Sequence, residues 1–429
     1  MTWWKRPAPT SPCAKTKTPR SRRPSHDCRN WAKHGGGHPL GPPLLISKNT
    51  PRAERIKVFT MTHPRLTPLA ASLPATVPFV GPEAQERARG QVFTARLGAN
   101  ESAFGPSPRA IAAMQQAATE VWMYGDPESH DLRTALAAHH GTDIDNIMVG
   151  EGIDGLLGLL VRLYISAGDG AVTSDGAYPT FNYHVTGFGG VLHKVPYAGN
   201  HEDPAALIAK AHETGAKLVY IANPDNPMGS WHQGHVIADM AANLPADCLL
   251  LLDEAYIDLA PHGTAPDIAA DTPNVIRLRT FSKGHGMAGA RVGYAIGAAD
   301  VIAGFQKVRN HFGMCRMSQA GALAALQDSA WIDHVRTAIA TSRAAIGRIA
   351  AAHGLTALPS ATNFVTIDCG QDGAFARAVL TALVADGIFV RMPFVTPQDR
   401  CIRVSCGTPD QIAAFGQSLP QALDRAKGG

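Results

Sequence analysis

Cysteine, charge and long apolar runs are all scarce in this chain, and each shortage narrows what it can be. The seven cysteines, Cys13, Cys28, Cys248, Cys315, Cys369, Cys401 and Cys406, are an odd set with no close CxxC pair and no zinc-type spacing. That argues against a disulfide framework or a bound metal, fits a reducing compartment, and makes a cytoplasmic location the expectation. No apolar stretch approaches the roughly 20 residues needed to span a bilayer; the run 156–161 is broken by Gly158 and closed by Arg162, so no membrane partner is expected. Only 17% of residues are charged, and the net charge of +4 is unevenly placed. Residues 1–60 hold 13 of the 39 Lys and Arg but 2 of the 35 Asp and Glu, leaving 26 basic against 33 acidic residues in the remainder. A body with that balance has no general affinity for nucleic acid.

The first sixty residues also lack hydrophobic periodicity and are interrupted by Gly35-Gly36-Gly37 and Pro42-Pro43, so they read as a disordered leader. Ordinary composition resumes at Met61, which reads as the native start. A transit peptide competes, being Arg-rich and acid-poor, although the prolines and glycines break any single amphipathic helix. Nor is there the periodicity of a helix-turn-helix, which a DNA-binding regulator would need. The full 429 residues, 45% of them hydrophobic, are enough for two domains or more.

From Pro108 onward, elements alternate. Helical patterns begin at Pro108 and cover 130–140. Strand-like 146–150 then leads through a Gly-rich turn to an apolar helix over 155–165. Strands are expected at 171–174, 191–195, 217–222, 248–253, 275–280 and 292–297, with helices after Pro179 and over 204–214 and 233–244. This predicts an α/β fold with a mainly parallel sheet flanked by helices, whose ligands bind beyond the strand carboxyl ends. After a broken helical segment at 301–326 and a long helix at 331–352, strands at 363–368, 388–391 and 401–405 and helices at 374–385 and 409–426 suggest a smaller α+β domain.

Three expected strand ends carry polar residues. Asn223-Pro224-Asp225-Asn226-Pro227-Met228-Gly229 is a rigid turn, Asp253-Glu254-Ala255-Tyr256 follows the most apolar strand, and Thr280-Phe281-Ser282-Lys283 follows the next. A desolvated lysine near a cation such as Arg291 becomes a nucleophilic amine able to form a Schiff base with an aldehyde. A carboxylate such as Asp253 keeps a pyridine nitrogen protonated, and Asn226 offers an amide to a phenolate oxygen. Ile153 and Asp154 at a helix mouth, with Thr280, Ser282 and Arg291, suit a phosphate. Taken singly, each has an ordinary structural explanation: a solvated loop lysine, a helix N-cap aspartate, a plain turn, a Gly-rich loop.

In this order, and with Asn100-Glu101, Phe104 to Pro108, Tyr124, Asp126-Pro127, Arg291 to Tyr294 and Arg403-Val404-Ser405, the chain from Asn100 onward resembles the pyridoxal-phosphate-dependent aminotransferases of fold type I, classes I and II, and within them the histidinol-phosphate group. The resemblance implies a homodimer that uses pyridoxal 5'-phosphate to move an amino group between an amino donor and a 2-oxo acid. It implies an N-terminal arm and start of a small domain at 61–135, a large cofactor-binding domain at 136–320 and a C-terminal small domain at 321–429. Lys283 would anchor the cofactor and act as the base, Asp253 would pair with the ring nitrogen, and Asn226 and Tyr256 would hold the ring oxygen. Phe181 would stack on the ring. Ile153, Asp154, Thr280, Ser282 and Arg291 would take the phosphate, with Tyr124 arriving from the other subunit. Arg403, assisted by Arg391, would grip a substrate carboxylate or phosphate, and the same bidentate chemistry serves either. Aromatic amino acids as substrates, and a related decarboxylase of a phosphorylated amino acid, stay open. Met228, where the family usually has threonine, and the segment 309–315, which lacks the group's Pro-Phe-Asn pattern, are departures.

Overall fold

The computed structural model describes residues 65–75 and 79–428. The leader 1–60 and Met61 lie outside the described residues.

A seven-stranded sheet organises residues 147–297. Its spatial order is Ile147–Gly150, Gly293–Gly297, Val275–Thr280, Leu249–Asp253, Leu218–Ala222, Gly170–Ser174 and Val191–Val195. Gly293–Gly297 runs antiparallel to both of its neighbours, and the other six strands share one direction. The absence of alternation in Leu249–Asp253 has a direct cause. Leu249 and Leu251 enter one apolar cluster, with Leu156, Leu157, Leu160 and Phe181, while Leu250 and Leu252 enter another, with Leu207, Ile237 and Met240. Helices cover both faces, so every position is buried.

A three-stranded antiparallel sheet is formed by Cys401–Ser405, Phe364–Asp368 and Thr356–Ala357, and Ala95–Arg96 pairs in parallel with Ile388–Phe389. Ala95 and Leu97 join the cluster of Val335, Ile339, Val365, Ile367, Val379, Val404 and Phe415, so the segment after residue 93 packs with the C-terminal elements. The helices Pro108–Ala118, His130–His140 and Pro204–Thr214 have the bounds their sequence signals suggest: a proline in the first turn of the first and third, and left-handed Gly141 and Gly215 just past the ends of the last two. The expected strand 388–391 shortens to Ile388–Phe389, and Arg391 meets Arg403 only through an isolated antiparallel bridge.

Candidate active site

The C-terminal edge of the large sheet gathers the polar residues because of its register. Ala222 pairs with Asp253 and Asp253 with Leu278, which sets Asn223, Asp253 and the loop after Thr280 side by side. Gly150 pairs with Gly293 and Gly293 with Thr280, bringing the N-terminus of the Gly152–Tyr164 helix next to Thr280 and Arg291.

Lys283 donates from Nζ to the carbonyl of Asn100 at 3.0 Å and lies 5.6 Å above the ring of Tyr256. Burial, with the Arg403 guanidinium adding to it, pulls its pKa down to about 8. Such an amine is partly neutral at physiological pH, as a nucleophile for an aldehyde must be. Asn100, left-handed at φ 55, is the hub beneath it. It donates from Nδ2 to the Tyr256 hydroxyl at 3.1 Å, accepts from Ser405 Oγ at 3.0 Å, and its carbonyl also accepts from Asn363 Nδ2 at 3.0 Å.

Asp253 is buried, with one oxygen accepting from the Tyr220 hydroxyl at 2.8 Å and the other from the Ala255 N–H at 2.9 Å. Burial pushes its carboxyl up to about 6, and the two donors oppose that rise. Asn226 accepts from Arg403 Nη1, and Arg403 Nη2 donates to the Gly98 carbonyl at 3.2 Å. The Nε of Arg403 is buried without a protein partner among the described residues, and desolvation lowers the guanidinium pKa to about 10. Arg391 donates to the Val80 carbonyl at 3.3 Å and stacks between Phe79 and Phe394, 4.6 and 5.5 Å from their centroids. None of these acceptors is a carboxylate.

The anion cradle is built from both sides. The Thr280 hydroxyl donates to the Val292 carbonyl at 3.0 Å and accepts the Ser282 N–H at 3.1 Å; Arg291 Nη1 approaches Ser282 Oγ at 3.5 Å. Ile153 and Asp154 occupy the first turn of the facing helix, whose N-terminal Glu151 makes no side-chain cap. Gly152 sits at φ 79, and a Cβ there would lie 2.4 Å from Arg291 Nη2. Only glycine lets the helix mouth and the guanidinium come this close.

Two expected placements need comment. Phe181 does not face the site: it is fully buried and stacks on Tyr220, centroids 5.1 Å apart and planes 13° apart, so neither face remains for a cofactor ring. The reason is helical geometry, since Phe181 and Val185, four apart in the Thr180–Gly187 helix, both point into the core. The aromatic on the site side of this loop is Tyr178, whose hydroxyl donates to Asp154 at 3.1 Å. Burial, then the charges of Asp154 and more weakly of Asp253, push its phenol upward. Tyr124 is 76% exposed, its ring 4.5 Å from that of exposed Phe312, with exposed Val121 and Trp122 close by in sequence.

Two buried carboxyls have no sequence signal for their burial, Asp225 within the 223–229 turn and Glu202 beside the strand that leads into it. Glu202 accepts from Ser174 Oγ at 2.6 Å and the Ala222 N–H at 2.9 Å; Asp225 accepts from the Tyr197 hydroxyl at 2.9 Å and the Met228 N–H at 3.0 Å. Burial raises both, Asp225 to about 7.

A poised buried lysine, a buried aspartate fixed by two hydrogen-bond donors, a buried guanidinium nitrogen without a partner among the described residues and a glycine-dependent anion cradle together fit a phosphorylated pyridine aldehyde. The chain belongs to the family aminotransferase class I and II, whose model matches residues 94–419, and so to the pyridoxal-phosphate-dependent aminotransferases of fold type I. Within that class it is similar to histidinol-phosphate aminotransferases. The crystal structure of the Sinorhizobium meliloti protein in complex with pyridoxal-5'-phosphate is 52% identical, with a TM-score of 0.82, over 85% of this chain and 99% of that one. The histidinol-phosphate aminotransferase of Moorella thermoacetica is 32% identical over 84% of this chain and 94% of its own length, and that of Anaeromyxobacter is 34% identical over 83% and 99%.

Proposed function

We propose that this chain is a cytoplasmic homodimer that moves an amino group between histidinol phosphate and 2-oxoglutarate in two half-reactions. The observation that carries the substrate choice is the pair Arg391 and Arg403. They are bridged across neighbouring backbone, Arg403 Nε has no partner among the described residues, and their hydrogen bonds go to neutral oxygens. Two guanidiniums with no carboxylate in direct contact among the described residues balance the charge of a dianionic phosphate, while their bidentate geometry by itself serves either group. The relatives' names support the same choice.

When bound, the cofactor supplies an electron sink for the substrate carbon that loses or gains the amino group. Lys283 anchors it and, once displaced by the substrate amine, carries the proton to and from that carbon. Asp253 holds the ring nitrogen protonated, while Asn226 and Tyr256 hold the ring oxygen. Thr280, Ser282, Arg291 and the backbone N–H groups of Ile153 and Asp154 bind the phosphate. Tyr178, in place of Phe181, covers the ring. The exposed patch of Val121, Trp122, Tyr124 and Phe312 supports a second copy covering this surface, with Tyr124 reaching the partner's site.

The test is the absorbance change of the purified protein on adding histidinol phosphate, glutamate, phenylalanine and tyrosine separately. Conversion to the aminated cofactor by histidinol phosphate and glutamate is expected. Conversion by an aromatic amino acid but not by histidinol phosphate overturns the substrate, and carbon dioxide release overturns the reaction.

A further inference from the structure

Tyr220 is the one polar side chain in an otherwise apolar strand, Leu-Val-Tyr-Ile-Ala, and it is completely buried. Packing alone does not require its oxygen: phenylalanine would fill the same space, and a buried hydroxyl is costly unless paired. The sheet register gives the hydroxyl one purpose. Ala222 pairs with Asp253, so Tyr220 and Asp253 are diagonal neighbours, and Tyr220 shares its face of the sheet with Leu249 and Leu251 of the Asp253 strand. The phenol bridges that diagonal, donating to Asp253 Oδ2 at 2.8 Å, while Oδ1 is held by the Ala255 N–H. The near-parallel ring of Phe181, also fully buried, backs the Tyr220 ring.

We infer that Tyr220, clamped by Phe181, is a positioning residue that aims the Asp253 carboxylate at the cofactor nitrogen and favours its ionised form. This rests on the reading that Asp253 faces the ring nitrogen. The phenol acts as a donor that keeps its proton, because burial and the neighbouring Asp253 both push its own ionisation upward. Around the Asp253 carboxyl, the titratable groups are Tyr220 on the adjacent strand, Asp154 on the covering helix, Tyr178 on the loop before the Thr180–Gly187 helix, Tyr256 just beyond Asp253, Glu202 beneath the neighbouring turn, and Lys283 on the loop opposite. Of these, Tyr220 is the one that donates to it directly.

The experiment titrates pyridoxal 5'-phosphate into the apo-protein by fluorescence, from pH 8.5 to pH 5.5, for wild type, Tyr220→Phe, Phe181→Leu, Asp253→Asn and the Tyr220→Phe/Asp253→Asn double variant. Tyr220→Phe is expected to weaken binding by about tenfold. The deficit should widen as pH falls, because the carboxylate without its phenol donor protonates at higher pH. Phe181→Leu should show the same pH-dependent deficit at smaller amplitude, and the oxygen's removal should have no further effect once Asp253 is asparagine. Weakened binding by Asp253→Asn beside wild-type binding by Tyr220→Phe overturns the inference while leaving the Asp253 reading intact. Wild-type binding by Asp253→Asn overturns that reading itself. If Tyr220→Phe does not fold, Phe181→Leu decides: wild-type binding at every pH overturns the clamp, and the pH-dependent deficit supports it.

Discussion

Replacing Gly152 by alanine adds one methyl group at the mouth of the Gly152–Tyr164 helix, and the structure says what that methyl meets. It would stand 2.4 Å from Arg291 Nη2 and 3.1 Å from Arg291 Cζ, on a backbone at φ 79. The left-handed backbone costs an alanine about 1–2 kcal/mol. The collision is with the end of a flexible side chain, so the guanidinium swings away rather than the helix. Doing so sacrifices its long contact with the Glu151 carbonyl (3.4 Å) and its 4.0 Å approach to Asp154. Both partners of that ion pair are nearly half exposed, so its loss adds little. Apo-protein stability should therefore fall by about 1–2 kcal/mol in urea unfolding, a modest effect. Cofactor affinity should fall much further, by roughly 10- to 100-fold, because a displaced guanidinium forfeits charge-assisted bonds to the phosphate. Titrating pyridoxal 5'-phosphate into Gly152→Ala, Arg291→Ala and the double variant separates the two effects. The single losses should be similar and the double variant should lose little more. A Gly152→Ala protein that binds the cofactor as tightly as wild type, beside an Arg291→Ala protein that does not, would refute the argued coupling.

Lys283→Ala should lose the absorbance of the covalently anchored cofactor and any borohydride-fixable label. In wild type, the rate of aldehyde capture should rise through pH 8, as more of the amine becomes neutral, and Arg403→Met should move that inflection upward. Glu254, with no exposed side-chain surface, is paired to Arg277 at 3.0 Å and Arg279 at 2.7 Å; Glu254→Gln should cost about 3 kcal/mol in urea unfolding. Burial raises the Glu254 pKa, but the arginines outweigh it and the net shift is downward, so its stabilisation is present above the unfolded carboxylate pKa and disappears as pH falls through the lower folded value. Asp225 runs the other way. With its folded pKa raised to about 7, the native apo-protein holds the extra proton, so this group loses stability as pH rises from the unfolded carboxylate range to pH 7, and Asp225→Asn should flatten that slope in thermal melts. Mixing inactive Tyr124→Ala and Lys283→Ala homodimers under subunit exchange should restore activity if Tyr124 serves the partner's site; no recovery in verified hybrids would show that it does not.

Much of the fold was legible because burial writes itself into composition. The run 248–253 could only be a strand covered on both sides, and its carboxyl end, like those of 217–222 and 275–280, carries the polar residues that form the site. What stayed hidden was direction and partnership. Phe181 took its stacking role from the resemblance, although an aromatic at a helix start is more often core and its spacing from Val185 puts both on the inner face of one helix turn; Tyr178, two places before Thr180, contacts Asp154 instead. Arg391 and Arg403 are separated by a loop and meet through backbone pairing that no local pattern announces. Asn100 owes its place under Lys283 to a left-handed backbone, a conformation asparagine tolerates without signalling it in advance. Nothing in the sequence distinguishes Tyr220 from a core aromatic, because its oxygen has meaning only once the register sets it diagonal to Asp253. Residue type carried the chemistry of this site, then, but sheet register and helix phase decided where each aromatic points, setting Tyr178 against Asp154 and Phe181 against Tyr220.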